Sequence, residues 1–158
     1  MCWTCYPNDF KINRAEKDIT VYKIVVIDKD TDLVWSPCKK EFPWSKNTIY
    51  HTDMNIHSMV NYEGYYRKRI GYFMQGDQGL HSFKGTSPKA AVEQFIVRYT
   101  TINSLPEDCR IMECVIPEGS YYSVGNYEEI ISDALMPKAL YAYENEEFKE
   151  IKCKGFNE

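Results

Sequence analysis

The pattern of apolar and polar positions predicts a chain built mainly from short β-strands. The segment Ile19–Ile27 (ITVYKIVVI) is apolar and β-branched at odd and even positions alike, which is typical of a central strand covered on both faces. The polar run 28–32 then predicts a turn into residues 33–35, and so a first hairpin. Residues 110–116 (RIMECVI) form another predicted strand, which the turn residues 117–119 close.

Other strand pairs follow from apolar runs that flank turn residues. Two further hairpins are predicted in this way: 70–74 with 80–83, and 140–143 with 148–153. Segment 120–124 is expected to pair beyond the 117–119 turn, whereas 127–135 is ambiguous between helix and strand. Residues 36–69 show neither a strand period nor a helix period, so a long, partly ordered excursion is expected there.

One helix has both a start signal and an apolar stripe. Ser87 can cap it, Pro88 suits its first position, and Pro106 lies past its end. Its apolar residues recur at i, i+3, i+4 and i+7: Val92, Phe95, Ile96 and Tyr99. The whole pattern therefore predicts an α+β fold, a single strand-rich domain over residues 1–158 with one main helix and a flexible or peripheral N-terminal segment, 1–18.

Composition and charge then exclude several classes of protein. The formal net charge is −4, which argues against general nucleic-acid binding, since such proteins carry a basic surface. No apolar run approaches the roughly 18 residues of a membrane span, and residues 1–10 lack the basic and apolar regions of a signal peptide. A cytoplasmic protein without membrane contact is expected. The chain also contains 13 tyrosines, a residue type that accumulates at interfaces and around stacked ligands.

The cysteines are expected to be reduced thiols, because the chain is large enough to build its own core and shows no secretion signal. They are Cys2, Cys5, Cys38, Cys109, Cys114 and Cys153. Cys2 and Cys5 have the spacing of half a zinc site or of a redox pair, yet no second such pair is present. No metal site is therefore predicted, and a zinc-stabilised module stays as a third hypothesis about function.

Glu113 is the residue that most invites a chemical role. In its predicted strand it shares a face with Ile111 and Val115, and the opposite face is apolar too. A carboxylate so placed lies at the rim of the sheet, pairs with a cation or is displayed in a cleft, because an unpaired buried charge costs several kcal/mol. A solvated glutamate at the rim is the most frequent of these arrangements.

Arg67 and Arg69 lie in a stretch that interleaves cations with aromatic residues, YYRKRIGYF over 65–73. Such a patch can stack a nucleotide and hold its phosphate. The alternative is a hairpin arm whose cations reach water over an aromatic core. His51 and His57 do not have the helical i, i+4 spacing of metal ligands, so loop histidines held by hydrogen bonds are expected.

Several stretches resemble ADP-ribosyltransferase-like domains. Residues 79–83 (GLHSF) with 86–91 (TSPKAA) are similar to the family's "GLYLT" segment and the helix that follows it. Residues 113–120 (ECVIPEGS) resemble the "EVLIPPGT" strand, whose leading glutamate is catalytic, and 49–52 (IYHT) are similar to the "LYHGT" strand of the histidine-type branch. The overall layout is also similar to small proteins from phages and mobile elements of gut bacteria.

The resemblance implies a split-sheet α+β fold around a cleft for NAD. Glu113 would then hold the nicotinamide ribose and stabilise the positive charge that develops as the glycosidic bond breaks. His51 would contact the adenosine side, and His81 stands where the family has its stacking tyrosine. The residues expected to bind a cofactor are Tyr50, Ser82, Phe83, Arg67 and Arg69.

The sequence departs from the family pattern at three positions. Ile111 occupies the place of the Glu or Gln that arginine-modifying members carry, His81 replaces the tyrosine, and Thr52 replaces the glycine after the strand histidine. An incomplete triad favours a retained scaffold over retained turnover. The expected function is therefore a non-enzymatic binding module without a cofactor, of the phage type, whose ligand is a protein or a nucleotide. The alternative is an NAD-dependent ADP-ribosyltransferase with Glu113 as its catalytic carboxylate.

Overall fold

Antiparallel strands dominate the computed structural model of this chain, which describes residues 13–36, 42–51, 80–84, 89, 109–124, 129–144 and 147–157. The strands are β1 (Asn13–Arg14), β2 (Ile19–Ile27), β3 (Val34–Trp35), β4 (Tyr50–His51), β5 (Leu80–Lys84), β6 (Cys109–Ile116), β7 (Tyr121–Val124), β8 (Glu129–Ser132), β9 (Ala134–Glu144) and β10 (Glu147–Ile151). One helical turn, α1 (Lys154–Asn157), follows β10. The described part of the chain is therefore strand-rich, as the sequence predicts.

Most of the strands follow one path through the sheet, in the order β1-β7-β8-β5-β2-β6-β9-β10, while β3 pairs with β2 and β4 pairs with β9. These pairings are antiparallel. β2 and β6 lie side by side in the interior of this path and pair from one end to the other. The prediction that Ile19–Ile27 is a central strand covered on both faces is confirmed, because its apolar residues on both sides suit a position inside the sheet.

The first and last predicted hairpins are confirmed, since β2 pairs with β3 and β9 pairs with β10. The ambiguous segment 127–135 contains β8 and the start of β9. Segment 120–124 forms a strand, β7, beyond the 117–119 turn and it is paired, as predicted. Its partners are β1 and β8, because both edges of β6 are occupied by β2 and β9.

Two other predicted elements fall partly outside the described residues. Of the predicted helix over 88–99, the structure describes Lys89, which is helical. The run 70–74 of the second hairpin lies outside, while its partner is present as β5 and pairs with β2 and β8. In the N-terminal segment, β1 forms an edge of the sheet and Ala15 is buried. Within the described ranges, no helix is long and apolar enough to cross a bilayer.

The hydrophobic core lies on one face of the sheet. It includes Val21 of β2 and Met112 and Cys114 of β6. Cys114 is fully buried, and this burial raises the pKa of its thiol to about 12, which suits a packing residue rather than a reactive one. The opposite face of the same two strands also buries apolar side chains, among them Ile24 and Ile111. Both faces of the central strands are therefore covered.

The segment 42–51 packs on the core through Phe42, Trp44 and Tyr50, so this part of the predicted irregular excursion is ordered. Trp44 is 1% exposed, and its ring centroid lies 4.9 Å from that of Phe42 and 4.8 Å from that of Tyr50. Its indole Nε1 donates a hydrogen bond to Ser36 Oγ at 3.1 Å. Aromatic packing rather than a strand or helix period orders the segment, which is why the periodicity of the sequence does not reveal it.

The C-terminal turn α1 is locked against the turn between β2 and β3. The Cys153 thiol donates a hydrogen bond to the Asp32 carbonyl oxygen at 2.8 Å, and Phe156 is buried in the core. Gly155 passes so close that an added Cβ would overlap that carbonyl oxygen and lie 2.8 Å from the carbonyl carbon. A glycine is required at this position because of this close approach.

Candidate functional site

Glu113 lies on an interior strand. β6 is flanked by β2 and β9, so the interpretation of Glu113 as a glutamate at the rim of the sheet is wrong. Its neighbours Met112 and Cys114 point into the core, so the Glu113 side chain projects from the opposite face. It is half-buried there, on the side that it shares with Ile111 and Val115, as the sequence predicts.

The carboxylate of Glu113 is held by Tyr22. The two residues face each other across β2 and β6, and the Tyr22 hydroxyl donates a hydrogen bond to Glu113 Oε1 at 3.3 Å. Tyr22 is 4% exposed and Glu113 is half-buried, so this bond is partly shielded from water. At 3.3 Å this bond is long for a hydroxyl and a carboxyl group, and its role is to orient the acid on the sheet.

Tyr141 and Glu150 lie next to the Tyr22–Glu113 pair, on the strands β9 and β10 that follow β6 in the sheet. Tyr141 on β9 faces Ile111 on β6, and Glu150 on β10 lies directly opposite Tyr141. Burial raises the pKa of the Tyr141 hydroxyl, and the negative charges of Glu113 and Glu150 raise it further. For Tyr22, burial first and then the charge and hydrogen bond of Glu113 raise the pKa to about 12. Both phenols therefore keep their protons and can donate hydrogen bonds.

These residues belong to one surface, which we call the aromatic-acidic face. Its members project from the same side of β2, β6, β9 and β10: Tyr22, Glu113, Tyr141, Tyr143, Phe148 and Glu150. Tyr143 and Phe148 face each other across the last hairpin, with ring centroids 4.8 Å apart. Exposure increases along the face, from buried Tyr22 through half-buried Glu113 to Tyr143, which is 38% exposed. The face thus opens toward β10.

Sequence reasoning singles out only Glu113 among these six residues. The signal that would reveal four of the others is the alternation Y-x-Y in one predicted strand against F-x-E in its hairpin partner. That alternation does not show that the four share a side with Glu113. Their common side depends on the register of β9 on β6, and this register shifts between Glu113 and Cys114.

The pairing of Tyr22 with Glu113 predicts a dependence of stability on pH. A raised pKa favours the protonated phenol in the folded state, so the stabilisation is complete below the ordinary tyrosine pKa and is lost between about pH 10 and 12. Urea unfolding at a series of alkaline pH values is expected to show a smaller fall in the free energy of unfolding for Tyr22→Phe than for the wild-type chain. Tyr121→Phe, at an exposed tyrosine, should leave the fall in place. Equal slopes for all three proteins would contradict the prediction.

His51 lies on an exposed part of the sheet, away from Glu113. It is opposite Ala134 of β9, whereas Glu113 is opposite Ala139. The strand between these two alanines spans roughly 16 Å. The two residues that the resemblance assigns to one cleft are therefore not adjacent, and they could not both touch a single ribose.

Tyr50 and Ser82 both belong to the core side of the sheet. The Tyr50 hydroxyl accepts a hydrogen bond from the Ser45 N–H at 2.7 Å and donates one to the Pro43 carbonyl at 2.9 Å. Ser82 is 1% exposed and is paired with Ile130, a core residue, so it projects away from the aromatic-acidic face. Its hydroxyl has no hydrogen-bond partner among the described residues.

For His81 and Phe83 the structure describes the backbone pairing. Phe83 lies opposite Tyr22, so one register row runs from Phe83 through Tyr22 to Glu113. His81, which precedes Phe83 by two residues on β5, is paired with Ile131 of β8. The remaining predicted cofactor ligands lie outside the described residues: Arg67 and Arg69.

Comparisons of the chain with protein-family models, curated proteins and solved structures find no match. The function is therefore argued from the chemistry of the aromatic-acidic face. Within the described ranges, no group of three or more His, Cys, Asp or Glu side chains is placed to hold a metal ion. What the face offers is two carboxylates and protonated phenols. Such groups accept hydrogen bonds from hydroxyl or amino groups, donate to acceptors and stabilise positive charge.

A concave region away from the aromatic-acidic face lies beside the edge strand β1. It is an open groove of about 1040 Å³ whose charged lining residues are Arg14, Glu16, Lys17 and Glu118. Positive and negative side chains are equal in number, so the groove favours neither anions nor cations. The aromatic-acidic face, where both ionised groups have the same sign, is the stronger candidate for selective binding.

Proposed function

We propose that this chain is a non-enzymatic binding module, built on an ADP-ribosyltransferase-like scaffold, whose ligand is recognised at the aromatic-acidic face. The observation that carries the proposal is the Glu113 carboxylate, which an interior strand and the Tyr22 hydroxyl hold half-buried beside Tyr141. A fixed carboxylate among protonated phenols recognises a ligand by directed hydrogen bonds and charge.

The placement of the other candidate residues supports binding rather than turnover. A transferase needs its carboxylate and its positioning groups around one reacting sugar. In the described part of the chain, His51 lies roughly 16 Å along β9 from the position of Glu113. The Tyr50 hydroxyl is already engaged by two backbone groups. These positions suit a scaffold without a complete catalytic set. The buried thiols of Cys109, Cys114 and Cys153 suit a reducing compartment such as the cytoplasm.

The second candidate function is NAD-dependent ADP-ribosyl transfer. It is favoured by one observation, the ionisable carboxylate of Glu113 on an interior strand with a hydrogen bond from Tyr22. A carboxylate held in this way can stabilise the positive charge that develops on a ribose as the bond to nicotinamide breaks. The two functions differ in whether NAD is consumed.

A thermal-shift titration tests the proposal. NAD, ADP-ribose and a panel of linear and cyclic nucleotides are titrated into the wild-type chain and into Glu113→Gln, which keeps the shape of the side chain and removes its charge. A ligand at 100 times its dissociation constant stabilises by about 2.7 kcal/mol, which moves the midpoint by about 5 to 10 °C for a domain of this size. We expect the shift to be lost in Glu113→Gln.

The matched control is Glu118→Gln, which removes the same charge at an exposed turn just beyond β6. A shift that is lost in Glu113→Gln and kept in Glu118→Gln supports the aromatic-acidic face as the binding site. A shift of equal size in both variants would place the ligand elsewhere. Consumption of NAD by the wild-type chain, abolished in Glu113→Gln, would replace the proposal by the transferase function.

A further inference from the structure

We propose that the outer part of the aromatic-acidic face binds a basic segment of another protein, whose Arg or Lys side chains pair with Glu113 and Glu150 and lie over the exposed rings. The inference rests on the proposed binding function and names its partner. It uses the open end of the face, at Tyr143, Phe148 and Glu150, which the resemblance to a transferase does not involve.

On the four strands that carry this face, the charged side chains that project from it are of one sign. Glu113 and Glu150 both act on the Tyr141 hydroxyl between them, since each raises its pKa. On the strands that carry the face, the described cations project elsewhere. Lys23 is paired with Met112 of the core, so it alternates to the other side, and Lys149 alternates away from Glu150.

Two further cations on these strands are also directed elsewhere. Arg110 is paired with Val25, a core residue, and therefore projects from the core side. Lys138 lies where the pairing of β9 with β6 skips a residue, and its Nζ donates a hydrogen bond to Asn47 Oδ1 at 3.3 Å. The two carboxylates of the face are thus presented without a cation from its own strands. A cationic side chain complements them.

The aromatic rings supply the second half of the recognition. Tyr143 is 38% exposed and its ring is 4.8 Å from that of Phe148, so the pair forms a fixed aromatic platform beside Glu150. A guanidinium or ammonium group over such a platform gains a cation–π interaction as well as an ion pair. Exposed tyrosines on a rigid sheet are also typical of protein interfaces.

The spacing of the two carboxylates favours a chain over a single small cation. Glu113 and Glu150 lie two strands apart across the sheet and two residues apart along the strands, which places their backbones roughly 12 Å from each other. Two cationic side chains on one extended segment can reach both. The inner carboxylate is half-buried and the outer one exposed, so the segment approaches from the β10 side.

The experiment is a fluorescence anisotropy titration of the full chain with a short fluorescein-labelled peptide that alternates glycine and arginine. The same peptide with glutamate in place of arginine is the probe control. For Glu150→Gln we expect an affinity about two- to fivefold weaker, as for an exposed ion pair, and for Tyr143→Ala a further loss from the ring platform. Higher ionic strength should reduce binding by the wild-type chain.

The matched control variant is Glu147→Gln. Glu147 is exposed on the same strand and carries the same charge, but it alternates to the other side of β10. Equal weakening in Glu147→Gln and Glu150→Gln would show unspecific attraction and overturn the inference. The inference would also be overturned if neither Glu150→Gln nor Tyr143→Ala changed the affinity for the arginine peptide. Binding of a polyamine such as spermine through Glu150, without binding of the peptide, would overturn it as well. None of these outcomes bears on a thermal shift with a nucleotide that is lost in Glu113→Gln. The proposed binding function and this inference can therefore fail separately.

Discussion

Replacement of Trp44 by alanine is expected to lower the free energy of unfolding by about 4 kcal/mol. Trp44 comes first by volume among the fully buried side chains of the described residues, and it contacts the rings of Phe42 and Tyr50. Its removal leaves a cavity and breaks the bond to Ser36 Oγ. It also removes the ring over which Lys23 Nζ lies, 5.8 Å from the centroid. Urea unfolding followed by circular dichroism measures the loss.

The control for this prediction comes from the same segment. Ile49 is a large apolar side chain that is 47% exposed, so Ile49→Ala is expected to change stability by no more than about 0.5 kcal/mol. Trp44→Phe keeps an aromatic ring in the cluster and should lose less than Trp44→Ala. A loss below about 1 kcal/mol for Trp44→Ala would mean that the segment 42–51 does not close the core.

Gly155→Ala is expected to destabilise the protein by about 3 kcal/mol, at the upper end of the usual cost of overpacking. The new methyl group would overlap the Asp32 carbonyl oxygen and meet Leu33 Cδ2 at 3.1 Å. The backbone of Asp32 cannot easily shift to make room for this methyl group. Its backbone has a φ of 57°, and its N–H donates to the Asp28 carbonyl at 2.9 Å while its own carbonyl accepts from Cys153. Thermal unfolding measures the effect as a lower midpoint.

Lys154→Ala provides the comparison, because Lys154 is exposed in the same helical turn and its shortening removes no packing. A change within about 0.5 kcal/mol is expected there. If Gly155→Ala were as mild as Lys154→Ala, the close approach of α1 to the β2–β3 turn would not exist in solution. The variants Trp44→Ala and Gly155→Ala both act on the core side, so neither removes a member of the aromatic-acidic face.

The sequence predicts much of the strand content for a local reason. Ile19–Ile27 matches β2 at both ends, because its apolar residues on both sides and the polar turn after it are properties of neighbouring positions. The last hairpin is recovered for the same reason, although β9 begins earlier than predicted, at Ala134. The strand pattern around Glu113 also assigns its side correctly, because alternation alone decides it.

The candidate site is recovered only in part. Glu113 stands out in the sequence as an acid on an apolar strand, but the partners expected from the resemblance do not gather around it. His51 lies at the far end of β9's pairing, and Ser82 is on the core side. Tyr22, which does meet Glu113, is 91 positions away in the chain and carries no local signal of that contact. The aromatic-acidic face is therefore a product of strand order and register.

The sequence by itself determined where many of the strands run and which side of β6 Glu113 occupies, since alternation and turn residues act between neighbouring positions. Only the tertiary structure decided that β6 lies between β2 and β9, and so that Glu113 is interior, bound to Tyr22 and followed outward by Tyr141 and Glu150. The physical reason is that the order and register of the strands minimise the free energy of the whole sheet. Both depend on burying the two faces of the sheet at once, and no single segment of the sequence specifies that burial.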